Sequence, residues 1–511
     1  MPEFSILDCE SISKDTTSYS PYYTDFNIDC IVKDISAYWK EDVSAFFKYM
    51  PANESGREYR KAIYADVCKE GMFESLMDFL KEMKQRKLIL KNKELTRSDL
   101  QKMVMSLSEM KRYVIAVDEL TSKLMQIKPE SEGMTKLLEL LTDYVSGDDF
   151  KTLKDETLKL RAAIDSIPIK LNYQDHFLGV TFEETEGRYD EFLKSFDKKD
   201  DTKTTAFLKR KNPLGDNVEI TELEAEILKI VCKKYSQLFA ELSVFVKQNE
   251  DYARDYILQL AEDVAFYLSF YTFEKEMCAK GLYFCQAEKS ERNHLMANDL
   301  YDLALACRLI RKGEVPVAND MHMDEGENFF VLTGPNQGGK TTFARSLGQL
   351  VYFSKLGLPV PANKAEVPFY SRILTHFSVE ESVETGKGKL AEELSRLAPM
   401  MADKTQMNDF VVINELFTTA ANYDACIMGK RVLDHFIGQN CHGIYVTHLQ
   451  ELSKEDKGIV SLRAMMNEEH RQNFKIVRSN EPALESSILL VEKHRLNYDQ
   501  VLDRLKGGDE K

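Results

Sequence analysis

The sequence predicts a multidomain chain: a mainly α-helical first part carrying a small β insertion, then a C-terminal α/β domain. Three observations predict it. At 511 residues the chain is too long for one core, so two to four domains are expected. From Ile31 to Met277 most apolar residues recur at helical spacing, except near residues 167–182, where the period drops to two. From about residue 286 onward short apolar runs alternate with helical segments, as in a parallel sheet covered by helices. The expected divisions are 1–95, a helical core; 96–285, long helices with a β insertion at about 167–215; and 286–511, the α/β domain.

Composition narrows the class. Apolar content of 43% is that of an ordinary globular protein, and no apolar run reaches the roughly 18 to 20 residues of a membrane span. Met1 to Asp8 has no basic n-region, so no signal peptide is expected. The nine cysteines form no C-x-x-C pair; reduced thiols in a cytoplasmic protein fit that pattern, and a zinc site does not. A net charge of −16 argues against nonspecific nucleic-acid binding by the whole surface, but it leaves room for a local basic groove.

In the first part, Ile31 to Phe47 reads as a helix ended by Met50-Pro51, with Trp39 in its core-facing set. Arg57 to Cys68 and Met72 to Met83 follow, with Gly71 as the stop between them. Ser98 to Val145 is long-helical with an interruption near Pro129 and Gly133, and Phe150 to Ile167 carries a heptad-like stripe. Ile167 to Tyr173 and Leu178 to Phe182 alternate and predict two short strands. Lys194 to Lys211 then holds seven basic residues against three acidic ones. Of these, Lys198, Lys199, Lys203, Lys209, Arg210 and Lys211 are candidates for gripping a phosphate backbone; a solvated loop is the alternative. Glu219 to Lys247 and Asp251 to Met277 read as two long amphipathic helices running back. Helices that run out to a β tip and return give a paired-lever shape.

The most informative stretch is Phe329 to Thr342. An apolar strand leads into Gly334-Pro335-Asn336-Gln337-Gly338-Gly339-Lys340-Thr341-Thr342, and Gly334, Gly339, Lys340 and Thr341 satisfy G-x-x-x-x-G-K-[ST]. Glycine lets the backbone approach phosphate oxygens, and the loop amides and helix start form an anion nest. In this pattern Lys340 reaches the β- and γ-phosphates of ATP, and the Thr341 hydroxyl holds Mg²⁺. Two further apolar runs, Phe410-Val411-Val412-Ile413 and Gly443-Ile444-Tyr445-Val446, read as buried parallel strands. They end in Asn414-Glu415 and Thr447-His448, where ligands of such sheets sit. Glu415 is placed to polarise the attacking water. Asn414 stands where an aspartate normally holds Mg²⁺ and keeps only an uncharged oxygen for it. His448 is a candidate contact to the γ-phosphate.

These residues together resemble the MutS family of DNA mismatch-recognition ATPases. Val317-Ala318-Asn319-Asp320 resembles the family's V-P-N-D, and Thr333 to Thr342 resembles its T-G-P-N-M-G-G-K-S-T. Val360-Pro361-Ala362, Thr375, Tyr423-Asp424, Thr447-His448 and Phe474-Lys475-Ile476-Val477 also match family positions, and Glu415 occupies the glutamate of its D-E. The resemblance implies a helical core, lever arms with a small clamp, and a C-terminal P-loop ATPase that forms a homodimer. It further implies ATP and Mg²⁺ as cofactors, mismatched or branched duplex DNA as partner, and no membrane. The chain also departs from the family. Leu416-Phe417-Thr418-Thr419-Ala420-Ala421 replaces I-G-R-G-T-S, so Ala421 lacks the hydroxyl that reaches across the family's dimer. Gly386 to Leu394 replaces G-R-S-T-F-M-x-E-M but keeps Glu393, and Lys387 or Lys389 is a candidate substitute phosphate contact. The N-terminal mismatch-reading domain with its F-x-E wedge is not expected here; Phe182-Glu183-Glu184 fits F-x-E by letters but sits in the β insertion. No Smr-type nuclease segment is expected after the ATPase. Two other readings stay open: a nucleotide-dependent scaffold or switch with weak turnover acting on a protein, motivated by Asn414 and Ala421, and an ABC- or Smc-type ATPase, for which L-S-G-G-Q is missing.

Overall fold

The computed structural model describes residues 4–7, 21–174, 177–181, 220, 222–290, 294–335, 337–377, 388–402, 408–454, 457–466, 472–479 and 497–498. The chain forms two compact units, Met1–Leu7 with Ala65–Leu268, and Asp8–Tyr64 with Ser269–Lys511. Asn336, Lys198, Lys199, Lys203, Lys209, Arg210, Lys211, Lys387 and the Phe182-Glu183-Glu184 triplet lie outside the described residues.

The N-terminal piece of the second unit starts with α1 (Tyr22–Asp25) and α2 (Ile28–Trp39). Ile28, Ile31, Val32, Ile35 and Trp39 form the buried face of α2, as their spacing predicts. The helix stops at Trp39 rather than near Phe47. Lys40 turns into the left-handed region (φ 64°), and the Asp42 carboxylate accepts the Ser44 N–H at 2.9 Å, a side-chain turn that competes with helix. α3 follows (Glu54–Val67).

The first unit is built on a helical hairpin, α4 (Met72–Leu95) and α5 (Asp99–Ile127), packed along each other. Gly71 precedes α4 in the left-handed conformation, which only glycine adopts freely. Ser98 and Ser131 cap α5 and α6 (Glu132–Ser146) by accepting the N–H groups of Gln101 and Met134. α7 (Asp148–Asp165) follows, and then β1 (Lys170–Gln174) and β2 (Phe177–Thr181), which pair antiparallel as the alternation predicts. The single helix expected from Glu219 to Lys247 is two, α8 (Glu222–Lys234) and α9 (Ser236–Gln248). Tyr235 leaves helical geometry between them (φ −109°, ψ 43°). Its side chain fits the apolar period on both sides, so the sequence carries no break signal. Ile227, Leu228 and Val231 of α8 and Phe239 and Leu242 of α9 share a core with Leu107 and Ile164. Glu109 is buried in this unit, and its carboxylate takes Arg86 at 2.8 Å, Lys93 at 2.9 Å and the Tyr252 hydroxyl at 2.8 Å. A buried charge needs partners of this kind. α10 (Asp255–Ala279) includes residues of both units.

The rest of the second unit holds two sheets. The smaller has four strands and takes in β3 (Glu288–Lys289) and β4 (Leu295–Leu300), then, after α11 (Leu303–Ile310), β5 (Asn319–Met323). β6 (Phe329–Thr333) opens the larger sheet and leads into α12 (Lys340–Leu356). β7 (Lys364–Val367) completes the small sheet in the order β3-β7-β4-β5. β8 (Ile373–Phe377), α13 (Lys389–Ala402), β9 (Phe410–Asn414), α14 (Asn422–Gly438), β10 (His442–Val446), β11 (Ile459–Met466) and β12 (Gln472–Arg478) follow. The larger sheet runs β12-β11-β6-β10-β9-β8, with β12 antiparallel to β11 and the other neighbours parallel. β6, β9 and β10 are buried along their whole length, which is why they read as continuous apolar runs. The N-terminal piece packs within this unit. The Phe26 ring occupies the space where a Cβ on Gly348 of α12 would lie, and Gln349 donates to the Phe26 carbonyl at 2.9 Å. Among the described residues no helix is long and apolar enough to cross a membrane, and the described cysteines are free thiols.

Candidate nucleotide site

The site stands at the carboxyl ends of three neighbouring parallel strands. β6 ends at Thr333, and the chain turns through Gly334 at φ 140°. A Cβ there would lie 2.8 Å from that of Ala464 on β11, so the close pass between loop and strand needs glycine. Pro335 and Gly338 are buried, and Gln337 is exposed at φ 64°. Gly339 caps α12 from the left-handed region (φ 89°), and α12 begins at Lys340 without a side-chain cap. Its first N–H groups therefore face the loop and carry the positive end of a 17-residue helix.

Lys340 is 5% exposed. Its ammonium donates to the carbonyls of Gly334 at 2.9 Å and Pro335 at 3.0 Å, so it closes the loop on itself. Burial lowers its pKa below the ordinary lysine value, and the nearby Glu415 charge works against that fall. Thr341 is half-buried, and its hydroxyl donates to the amide oxygen of Asn414 at 3.2 Å. The first turn of α12 and the end of β9 thus meet through one hydrogen bond. Glu415, the next residue, sits at φ 55°, and its N–H donates to the Val446 carbonyl at 2.9 Å. That bond carries the β9–β10 ladder one residue past the strand.

Lys340, Thr341, Thr342, Gly339, Gln337 and Glu415 line one cavity of about 530 Å³, a size usual for small-molecule sites. Leu305, Leu309, Val315, Val317, Phe343 and Phe474 add an apolar part to the wall, and Asp302, Glu314, Asn319 and Ser346 add polar groups to it. The helix start and Lys340 are chemistry that suits phosphate, and the apolar side chains offer surface to a planar ring. Residues 286–330 predict the alternating elements but give no signal for this apolar wall. Its residues come from α11, the segment before β5, α12 and β12, and only the fold gathers them. Asn319, in the sequence-predicted lead-in, does not point its amide to open space. Its oxygen accepts the Ile476 N–H at 2.8 Å and its nitrogen donates to the Phe474 carbonyl at 3.2 Å, which fixes β12 beside the cavity.

Other predicted residues stand apart. His448 is exposed and does not line the cavity. Its neighbour Thr447 is buried and turns the chain by accepting the Leu449 N–H at 3.0 Å. Ala421 occupies the N-cap of α14 without a capping side chain, and Tyr423 beside it is 77% exposed. Among the described residues no group of three or more His, Cys, Asp or Glu side chains is placed to hold a metal alone. The Thr341 and Asn414 oxygens are neutral donors that fit a hard cation only when phosphate oxygens and water complete its shell.

Residues 330–489 match the family model MutS domain V. The chain is also similar to several proteins named DNA mismatch repair protein MutS. It is 31% identical to that of Pseudothermotoga lettingae over 160 residues, covering 30% of this chain and 20% of the relative. To that of Thermotoga maritima it is 28% identical over 246 residues, 47% of this chain and 27% of the relative. To that of Thermotoga petrophila it is 26% identical over 239 residues, again 47% and 27%. The matched stretch thus spans between 20% and 27% of the length of these curated relatives.

Proposed function

Through residues 330–489 this chain belongs to the MutS family, and on that premise we propose that it is an ATP-dependent DNA-binding protein. In this reading ATP binding and slow hydrolysis in the second unit are coupled to clamping on mismatched or structured duplex DNA. The observation that carries it is the gathering of Lys340, Thr341 and Glu415 around one cavity beneath a helix start, with Asn414 bonded to Thr341 behind them. Lys340 exchanges its two carbonyl partners for phosphate oxygens. The loop and α12 N–H groups hold the phosphate chain, and the apolar wall takes the base. Thr341 and Asn414 would hold Mg²⁺, which supplies charge neutralisation between the phosphates. Glu415 orients and polarises the attacking water. The long helices of 96–285 act as levers and the β1–β2 region as part of a clamp, with Lys198, Lys199, Lys203, Lys209, Arg210 and Lys211 gripping the DNA backbone. The ATPase part pairs with a second copy, for which the exposed Tyr423 and the start of α14 are the candidate face. Free cysteines fit a cytoplasmic protein.

The test is steady-state ATP hydrolysis, alone and with homoduplex, mismatched and branched DNA, beside Lys340→Ala. Turnover that DNA changes by a few-fold or more, and that Lys340→Ala reduces to background, is the expected result. Equal rates with and without every DNA would count against the coupling. One observation favours a second reading, a nucleotide switch with weak turnover. Asn414 offers the cation no charge, so tight ATP binding with negligible turnover under all conditions would select that reading.

A further inference from the structure

The loop after β9 passes twice through the left-handed region, at Glu415 (φ 55°) and at Phe417 (φ 62°). Neither residue has glycine's freedom, so the turn persists only because its surroundings hold it. Glu415 is held through its N–H on Val446. Phe417 is held through its N–H, which donates to Oε2 of Glu393 at 3.0 Å. Glu393 comes from α13 and is 5% exposed, four residues before the core residue Leu397. A carboxylate on the apolar stripe of a helix is costly unless it is bonded, and a main-chain N–H gives it a charge-assisted bond. Tyr445 of β10 is buried in the same core and senses this charge: burial first, and the Glu393 carboxylate second, raise its hydroxyl pKa. Glu393 does not line the cavity.

We infer that Glu393 is a positioning residue: by holding the Phe417 N–H it fixes the double left-handed turn that presents Glu415 to the cavity. The inference rests on the role proposed above for Glu415. It has a kinetic signature. Because Glu393 stands outside the cavity, its loss lowers kcat and leaves ATP affinity in place. Because the bond needs an acceptor at the right reach rather than a charge, a glutamine serves and a shorter carboxylate does not.

The experiment compares Glu393→Gln, Glu393→Asp and Glu393→Leu in the full chain, with thermal melting as a fold check. ATP affinity is read by a fluorescent ATP analogue, kcat by phosphate release, and Glu415→Gln runs alongside. Expected are a kcat near wild type for Glu393→Gln and a fall of roughly ten- to a hundredfold for Glu393→Asp, the scale of a side chain misplaced by about 1 Å. Affinity should stay within about twofold, since only the turn moves. Glu393→Leu should match or exceed the loss in Glu393→Asp. Glu393→Asp at wild-type kcat, Glu393→Gln as slow as Glu393→Asp, or a loss that appears in affinity would each overturn the inference while the role of Glu415 stands. A Glu415→Gln enzyme that turns over like wild type would overturn that role and the inference with it.

Discussion

The ends of β6 and β9 flank β10 in one sheet and keep the family's pattern to different extents. At the end of β6 and the start of α12, every position that the phosphate-binding pattern requires is present in the sequence; a glycine passes close to Ala464, another precedes the helix, and the lysine is buried against loop carbonyls. At the end of β9 the carboxylate expected before Glu415 is an amide, and the six residues after it differ from the family's loop. The backbone there nonetheless turns sharply and is held by Val446 and Glu393. In the proposed function, binding of the phosphate chain depends on backbone N–H groups and one ammonium, which substitution elsewhere leaves intact. In the proposed function hydrolysis depends on side-chain charge at the end of β9, and that is where the sequence departs from the family's pattern.

That contrast is most sharply broken or confirmed at Glu415. Glu415→Gln keeps the size and removes the charge. We expect kcat to fall about a hundredfold or more, the range of a lost general base, with ATP affinity unchanged or slightly tighter. Unaltered turnover by phosphate release would mean that the β9 end does not take part in hydrolysis. Asn414→Asp sharpens the comparison from the other side. It restores a charge beside the Thr341 hydroxyl, now 3.2 Å from the amide oxygen. A single added charge interaction of about 1 kcal/mol corresponds to roughly fivefold. The Mg²⁺ concentration for half-maximal turnover should drop by about that factor. A rise instead would place the cation away from Asn414.

How much of this was legible in the sequence follows from what each feature depends on. The strands of the larger sheet were legible because they are buried on both faces, so Phe410 to Ile413 and Gly443 to Val446 stand out as apolar runs. The glycine-rich loop was legible because close approach leaves few residue choices. The end of α2 was not, because Lys40 takes a left-handed conformation that lysine seldom signals. The break at Tyr235 was hidden by a side chain that fits the helical period on both sides. The grouping of residues 8–64 with the C-terminal unit rests on contacts such as Phe26 against Gly348, more than 300 residues apart in sequence. Glu393 was visible as a retained letter, but its bond to Phe417 could not be read without the φ of that residue. His448 is a different case: its position after a strand pointed to the site, and in the structure it is exposed and not among the residues that line the cavity.

The smallest expected effect ties the two strand ends together. Burial holds the Lys340 pKa below its ordinary value, and the Glu415 carboxylate limits that shift. The charged lysine is the form that binds phosphate, so ATP affinity should fall at alkaline pH earlier than an exposed lysine would dictate. Replacing Glu415 by glutamine removes the charge that favours the ammonium, which lowers the Lys340 pKa further. The alkaline limb of ATP binding in Glu415→Gln should therefore move to lower pH than in wild type, whatever the change in maximal affinity. The limb is read with a fluorescent ATP analogue across the alkaline range, in conditions where no hydrolysis occurs. Coincident limbs would mean that the two strand ends are electrostatically independent, and that Asn414 and Thr341 alone join them.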